Sequence, residues 1–366
     1  MNILQVTSKW IIPQKGGLES AVYKISIALA NRGHKVVVLS PHKYKKVYYE
    51  KNVKYQTIPV YFNLYRLTLI KLNAIKEILN IIKWADIIHI HSTHELFNFF
   101  IFFFSKLLKK KTFVVTLSPL RFFDRKNFIE KIYMFIIDLF SLVIILKSDI
   151  VQVKNIGDFQ TLKKLNLKKL YLIPDGIDDI FFKYAKIREE NYSKNKIKIL
   201  YIGRIDNNKG IEHFIIAIKK LSSMYEIEGI IISWDIEKKG YLLNLLKKHS
   251  AENLIRIKFS VSEIEKVKLI DQARVIVIPS LYDFVEGFSI VASEAWSRGK
   301  PVVAYAVGSL KFRIKNGFNG YLAKERNVNS LIKALINSFN ISKVITRSDV
   351  VPWDNVVRRI EELYMM

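Results

Sequence analysis

The stretch IKILYIGRIDNNKGIEHFIIAIKKL, residues 197–221, decides the architecture. Ile197–Ile202 is a short apolar run, Gly203 to Gly210 is a polar loop, and the apolar positions up to Leu221 then recur at helical spacing. The reading is strand, loop, helix. The same alternation continues downstream through strand Gly229–Ser233, helix Tyr241–His249, strand Ile255–Phe259 and a helix around Ile264–Asp271. Strand Val275–Pro279, helix Ser289–Ser297 and strand Val302–Ala304 follow. Short Val/Ile runs separated by helices predict parallel strands joined by crossover helices, with the sheet covered on both faces.

The first half repeats the pattern. Asn2–Thr7 reads as a strand, Ser8 to Gly17 as a small-residue loop, and Leu18, Val22, Ile25 and Leu29 as one helix face that Gly33 ends. Strand Val36–Ser40 comes next, then an apolar helical segment from Leu64 to Trp84 with its helix around Ile70–Ile82, strand Ile87–Ile90 and a Phe-rich helix from Leu96 to Leu108. Strand Phe113–Leu117, a long helix to Leu146, and strands Ile150–Val153 and Tyr171–Pro174 complete this half. The polar, poorly periodic residues 179–196 read as a linker. The expected division is therefore a domain over 1–178, the linker, a second domain over 197–345 and a terminal helical segment over 346–366. Two doubly wound α/β domains of similar size are expected to face each other. In such sheets ligands lie beyond the carboxyl ends of the strands, which directs attention to the cleft between the domains.

Composition narrows the possibilities. A chain of 366 residues that is 50% hydrophobic is no disordered or low-complexity protein, and its length suits two domains. It has no cysteine, which excludes disulfides, thiolate metal sites and a cysteine nucleophile. The net charge is +26, and residues 1–200 hold 34 basic against 15 acidic side chains. Such an excess suits either an ordinary solubilising surface or one that meets an anionic membrane or phosphorylated ligands. A nucleic-acid partner is not expected, since no recognition helix, finger or aromatic RNA-binding signature accompanies the charge. The apolar run Ile132–Leu146 is too short for a membrane span, which needs about 20 apolar residues. No secretory signal opens the sequence, so a cytoplasmic chain, soluble or peripheral on the inner face of the membrane, is expected.

Three constellations can carry chemistry. Glu286-Gly-Phe-Ser-Ile-Val-Ala-Ser-Glu294 follows a strand end at Pro279-Ser280. Eight residues is a little over two helical turns, which puts the two carboxylates near one face. Gly287, Phe288 and Ser289 present backbone N–H groups at the helix start, where an anion is welcome, and carboxylates beside them suit sugar hydroxyls. In the loop after Ile197–Ile202, Arg204 and Lys209 frame a turn suited to a diphosphate. Gly16 and Gly17, followed by Glu19, form a short glycine loop opening the first helix.

Together these pieces resemble the retaining glycosyltransferases of family 4, the glycogen-synthase-like group 1 with the GT-B fold. Ala85-Asp-Ile-Ile-His89-Ile-His91, Ile173-Pro-Asp-Gly-Ile-Asp178 and the terminal Pro352-Trp353…Tyr364 segment are similar to family motifs in the same order. The resemblance implies that Arg204 and Lys209 hold the donor diphosphate, that Gly16 and Gly17 approach it, and that Glu286 contacts the transferred sugar. Gly287, Phe288 and Ser289 would present backbone to the donor, Glu294 would bind ribose, and Glu286, Arg204 and Lys209 would form the catalytic set. It further implies a UDP- or GDP-linked donor, an acceptor-binding first domain, a lipid-linked, glycan or other membrane-proximal acceptor, and no cofactor or metal. Ser118 and His91 are the acceptor-side candidates; Ser118 stands where members commonly carry His. Ser233-Trp-Asp235 replaces the family's usual glycine-rich turn. A nucleotide-sugar epimerase of the same fold and a non-catalytic nucleotide-sugar-binding protein are the alternatives.

Overall fold

The computed structural model describes residues 1–12, 16–64, 66–116, 128–167, 169–184 and 196–366. The chain forms two units, residues 1–176 with 353–366, and residues 177–352. The first unit ends two residues before the expected 178, the second begins at 177 and so takes in the expected linker, where Ile180–Lys183 is helical, and the C-terminal boundary falls at 352/353 rather than 345/346.

The first unit has strands β1 (Asn2–Val6), β2 (Lys35–His42), β3 (Val47–Glu50), β4 (Val53–Leu64), β5 (Leu67–Ile70), β6 (Ile87–His91), β7 (Lys111–Thr116), β8 (Ile150–Val153) and β9 (Leu170–Leu172). Its helices are α1 (Gly17–Asn31), α2 (Ile75–Trp84), α3 (Leu96–Leu107), α4 (Phe128–Lys147), α5 (Ile156–Lys163) and the C-terminal helix Trp353–Met365. The sheet order is β3-β4-β2-β1-β6-β7-β8-β9, with β5 on β4. Every pair is parallel except β3/β4 and β4/β5. One expectation is corrected here. The segment after Leu64 does not begin a helix: Leu67–Ile70 pairs antiparallel with β4, and the helix starts only at Ile75. Leu67, Thr68, Leu69 and Ile70 are apolar or β-branched, and Thr68 alone of the four is buried, as on a strand with one covered face.

The C-terminal helix belongs to this unit through charge and burial. Arg32 bonds to Asp354 and Glu361 at 2.5 and 3.0 Å, and His34 to Glu361 at 2.7 Å. Its Tyr364 is buried beside β6. Gly176 packs directly on this helix: a Cβ there would lie 2.6 Å from the Trp353 Cα.

The second unit has strands β10 (Ile197–Ile202), β11 (Ile227–Ser233), β12 (Ile255–Phe259), β13 (Val275–Ile278), β14 (Val302–Tyr305) and β15 (Gly320–Ala323). Its helices are α6 (Ile180–Lys183), α7 (Ile211–Leu221), α8 (Lys239–Lys248), α9 (Glu263–Gln272), α10 (Ile290–Ser297), α11 (Leu310–Arg313) and α12 (Val328–Ser338). The order β12-β11-β10-β13-β14-β15 is parallel throughout. The chain adds strands toward one edge from β10 to β12 and toward the other from β13 to β15, so the topological switch point opens at the carboxyl ends of β10 and β13. Ile199, Leu200, Ile230, Val277 and Val303 are buried along these central strands, as a sheet covered on both faces requires.

Candidate active site

The loops after β10 and β13 meet at the switch point because a glycine lets them. Gly210 has φ of 67°, and a Cβ there would run into the Pro279 carbonyl oxygen. Only glycine combines that conformation with that approach. The Leu281 N–H then donates to the Asn208 carbonyl at 2.9 Å, fastening loop to loop. Asp206 caps the single 3-10 turn at Asn207–Lys209 by accepting from the Asn208 N–H at 2.8 Å.

This junction brings Lys209 to Glu286. The Lys209 Nζ lies 2.7 Å from Glu286 Oε1, and the Ser280 hydroxyl donates to the same oxygen at 2.6 Å. Glu286 is 3% exposed. Both bonds fall on Oε1, and among the described residues Oε2 takes none. Arg204 is placed differently. Its side chain is half exposed, with Asp206 3.8 Å away as its ionic neighbour. Its backbone is held firmly: Tyr201 donates to the Arg204 carbonyl at 2.6 Å. Burial, and then the Glu286 charge, push the Tyr201 phenol far above its ordinary range, so it stays a donor.

Glu286 and Glu294 do not share a helix. A 3-10 turn at Asp283–Val285 precedes Glu286, and α10 begins at Ile290, so Glu286 belongs to the loop and Glu294 to the helix. They also have separate cations. Glu294 is buried and pairs with Lys266 at 2.8 Å, and Lys266 reaches Glu263 at 2.9 Å. Burial pushes the Glu294 carboxyl up against the opposing pull of Lys266. Burial disfavours the Lys266 ammonium too, but Glu294 and Glu263 outweigh it and hold it up at about 12. Lys266 also lies over the Phe181 and Trp234 rings, at 5.1 and 5.7 Å.

The loop 283–289 is braced from the segment that follows β14. Gly308, at φ of 49°, sits so close that a Cβ would press on the Asp283 and Glu286 carbonyls. The Ser309 N–H donates to the Glu286 carbonyl at 2.8 Å, and the Gly308 N–H to Asp283 Oδ1 at 2.6 Å. Arg313 is buried beneath Phe288, its guanidinium 4.0 Å from the ring centroid. It donates to the Ser289 carbonyl at 2.9 Å and to the Ser293 hydroxyl at 2.7 Å, and pairs with Asp349 at 3.0 Å. Thus Gly287, Phe288 and Ser289 lie in a segment whose start and end are pinned. Sequence reading missed Gly308 and Arg313; the positive φ that would flag the glycine has no sequence signature here.

The Ser233–Lys238 turn grips the arginine loop. Asp235 accepts from the Ile205 N–H at 2.9 Å and Lys238 donates to the Ile205 carbonyl at 2.8 Å.

In the first unit, Gly17 opens α1 and Gly16 is its N-cap residue. The Glu19 carboxylate folds back over Gly16, where a Cβ would meet Oε2 at 2.6 Å. That acidic group occupies the helix start where an anion was expected. His91 is enclosed: its ring is buried, bonds to the Gln5 side chain and stacks on His89 at 4.0 Å. His89 in turn meets the Tyr364 hydroxyl at 2.5 Å. Ser118 lies outside the described residues. Thr116, which ends β7, joins a buried hydroxyl cluster with Thr93 at 3.0 Å, and Thr93 meets Ser141 at 2.6 Å. Beside it His94 pairs with Asp138 at 3.2 Å.

A parallel doubly wound unit with a basic loop and a buried carboxylate at its switch point is Rossmann-like, and here it is joined in one chain to a second, mainly parallel α/β unit. Residues 15–117 match Glycosyltransferase Family 4, and residues 183–347 match Glycosyl transferases group 1. Over 175 residues the chain is 30% identical to an uncharacterised glycosyltransferase of Methanocaldococcus jannaschii, a match over 45% of this chain and 44% of that protein. The chain thus spans less than half the length of that relative. It is 23% identical over 382 residues to a phosphatidylinositol N-acetylglucosaminyltransferase component of Arabidopsis thaliana, covering 100% of this chain and 81% of the relative. Anabaena HepE in complex with UDP-glucose shares the fold with a TM-score of 0.71 at 14% identity, over 100% of this chain and 99% of that one. Each unit thus matches a glycosyltransferase family model, and the chain shares the GT-B fold of its solved neighbours.

Proposed function

We propose that this chain is a retaining, metal-independent glycosyltransferase that moves a hexosyl unit from a UDP- or GDP-linked sugar to a lipid-linked, glycan or other membrane-proximal acceptor. The observation that carries the reading is the junction of Lys209, Glu286 and Ser280 at the carboxyl ends of β10 and β13. A buried carboxylate with one oxygen satisfied and the other open accepts from sugar hydroxyls. An adjoining ammonium and a half-exposed guanidinium neutralise the charge that develops as the sugar–phosphate bond breaks. Acceptor attack on the leaving-group face would then keep the anomeric configuration. UDP-glucose bound to HepE supports a uridine nucleotide as the first to try. The Arabidopsis relative, named for transfer to phosphatidylinositol, supports a lipid-borne acceptor.

The test begins with ligand-linked thermal stabilisation by UDP, GDP and ADP, then by their sugars. Stabilisation by one nucleotide, followed by an α-linked product from its α-linked sugar donor, is expected. An inverted product would remove the retaining assignment, and indifference to all three nucleotides would remove the donor.

A further inference from the structure

Helix α4 turns one face to its unit and exposes apolar side chains on the opposite face. Ile137, Ile144 and Ile145 are buried. Ile132, Phe135, Ile136, Leu139, Val143 and Leu146 are exposed, spaced three or four apart, so they form one stripe along the helix. Phe128 and Ile129, each about three-quarters exposed, extend it at the amino end. From Phe128 to Leu146 the stripe runs about 27 Å at 1.5 Å per residue. The neighbouring α3, which touches α4 through the Phe99 and Phe140 rings at 4.7 Å, adds exposed Phe103 and Leu107. Soluble surfaces scatter such residues singly; a continuous apolar stripe of this length marks a contact.

Charge identifies the occupant. The unit holds 30 basic against 14 acidic residues. Lys147 ends α4 in solvent and Lys109 stands exposed just past α3, while Asp138 on α4 points inward and is buried. A second copy would bring an equally cationic surface against this one, whereas an anionic lipid leaflet neutralises it. Among the described residues no helix is long and apolar enough to cross a membrane. A helix with one apolar face and flanking lysines lies along the interface instead. We infer that α4 docks this chain on an anionic bilayer, its axis in the membrane plane and its stripe at the acyl boundary. This deepens the functional reading by naming the surface through which an acceptor held in lipid is reached, and its test requires no catalysis.

The full chain is sedimented with vesicles of phosphatidylcholine alone or mixed with phosphatidylglycerol. Binding to the anionic vesicles is expected, weakened at least about tenfold by the combined Ile132→Gln, Ile136→Gln and Leu139→Gln changes, with thermal stability and nucleotide-induced stabilisation retained. Lys109→Gln with Lys147→Gln should weaken binding chiefly at low salt. Should the triple variant fail to fold, Leu139→Trp provides the readout: its added emission should shift to the blue on anionic vesicles. Three results overturn the inference: no binding by the unaltered chain, binding indifferent to the stripe, or a solution dimer that the triple variant dissociates. Vesicle binding without any nucleotide response would instead sink the donor reading and leave this one standing.

Discussion

Lys209 and Glu286, 77 positions apart in the chain, form a 2.7 Å ion pair whose two ends differ in their access to water. The lysine side chain is 22% exposed and the glutamate 3%. That asymmetry predicts an ordered set of mutational costs.

Glu286→Gln leaves an ammonium that can turn to solvent, so its stability cost should stay near about 1 kcal/mol. Lys209→Met strands a buried carboxylate and should cost more, on the order of 2–3 kcal/mol, below the range for fully buried pairs because Lys209 reaches water. Transfer should fall by about 10²-fold or more in both. Urea unfolding paired with initial rates checks this. Equal destabilisation by the two changes, or normal turnover in either, contradicts the assignment.

Gly210→Ala tests the seam between the two loops. It sets a side chain at positive φ against the Pro279 carbonyl, so a loss of about 2–4 kcal/mol is expected, with the Lys209–Glu286 contact disturbed. At Gly240, in the first turn of α8, a Cβ would meet no atom within 4 Å. Gly240→Ala should therefore stabilise, by about 0.5–1 kcal/mol, through helix propensity and the unfolded chain. Parallel melts of the two variants decide, and a Gly210→Ala protein as stable as the parent would dismiss the close approach.

The buried histidines of β6 make the first unit acid-sensitive. Burial, and then the charge of Lys154, push His89 down to about 3. Burial, His89 and Lys154 push His91 well below its ordinary value. In the unfolded chain both titrate near about 6.5. Below that value the unfolded state binds more protons than the folded one, so stability is complete above it and lost as pH falls. Each histidine contributes about 1.4 kcal/mol per pH unit in that window, so the pair should weaken the unit by about 2–3 kcal/mol at pH 5.5. Hydrogen exchange in peptides spanning β6, corrected for intrinsic rates at pH 5.5 and 7.5, reads the change. Equal protection at both would show that the rings are not held neutral.

How much of this was legible beforehand follows from where each interaction is encoded. Lys209, Gly210 and Glu286 lie at strand ends in adjacent loops of a doubly wound sheet, so alternation alone drew attention to them. Glu294 was legible as a charge, yet its partner Lys266 comes from α9, and no local spacing joins two different helices. Arg313 is a basic residue in a four-residue helix, and only the fold buries it under Phe288. Strand β5 falls in a stretch expected to be helical because a short apolar run satisfies helical and extended periodicity alike. The exposed stripe of α4 was equally hidden: an apolar sequence shows hydrophobicity on both faces, and only the packed structure says which one is covered.

Asp235 provides the sharpest test of how the donor loop is held. Its Oδ2 receives the Ile205 N–H at 2.9 Å, next to Arg204, and it is buried. Asp235→Ala leaves that buried N–H unpaired, at a cost of about 1–3 kcal/mol, and frees the loop that aims the half-exposed guanidinium. If Arg204 addresses the diphosphate, the variant should bind UDP about five- to tenfold more weakly, as one charge-assisted bond lost to disorder predicts. Uridine carries no phosphate and should bind the variant and the parent alike. Arg204→Ala should reproduce the same split, and the two changes together should add little, because both remove one contact. Calorimetric titration of the four proteins with both ligands measures it. An equal loss for uridine and UDP would place Asp235 in the base pocket instead and leave the diphosphate to other groups.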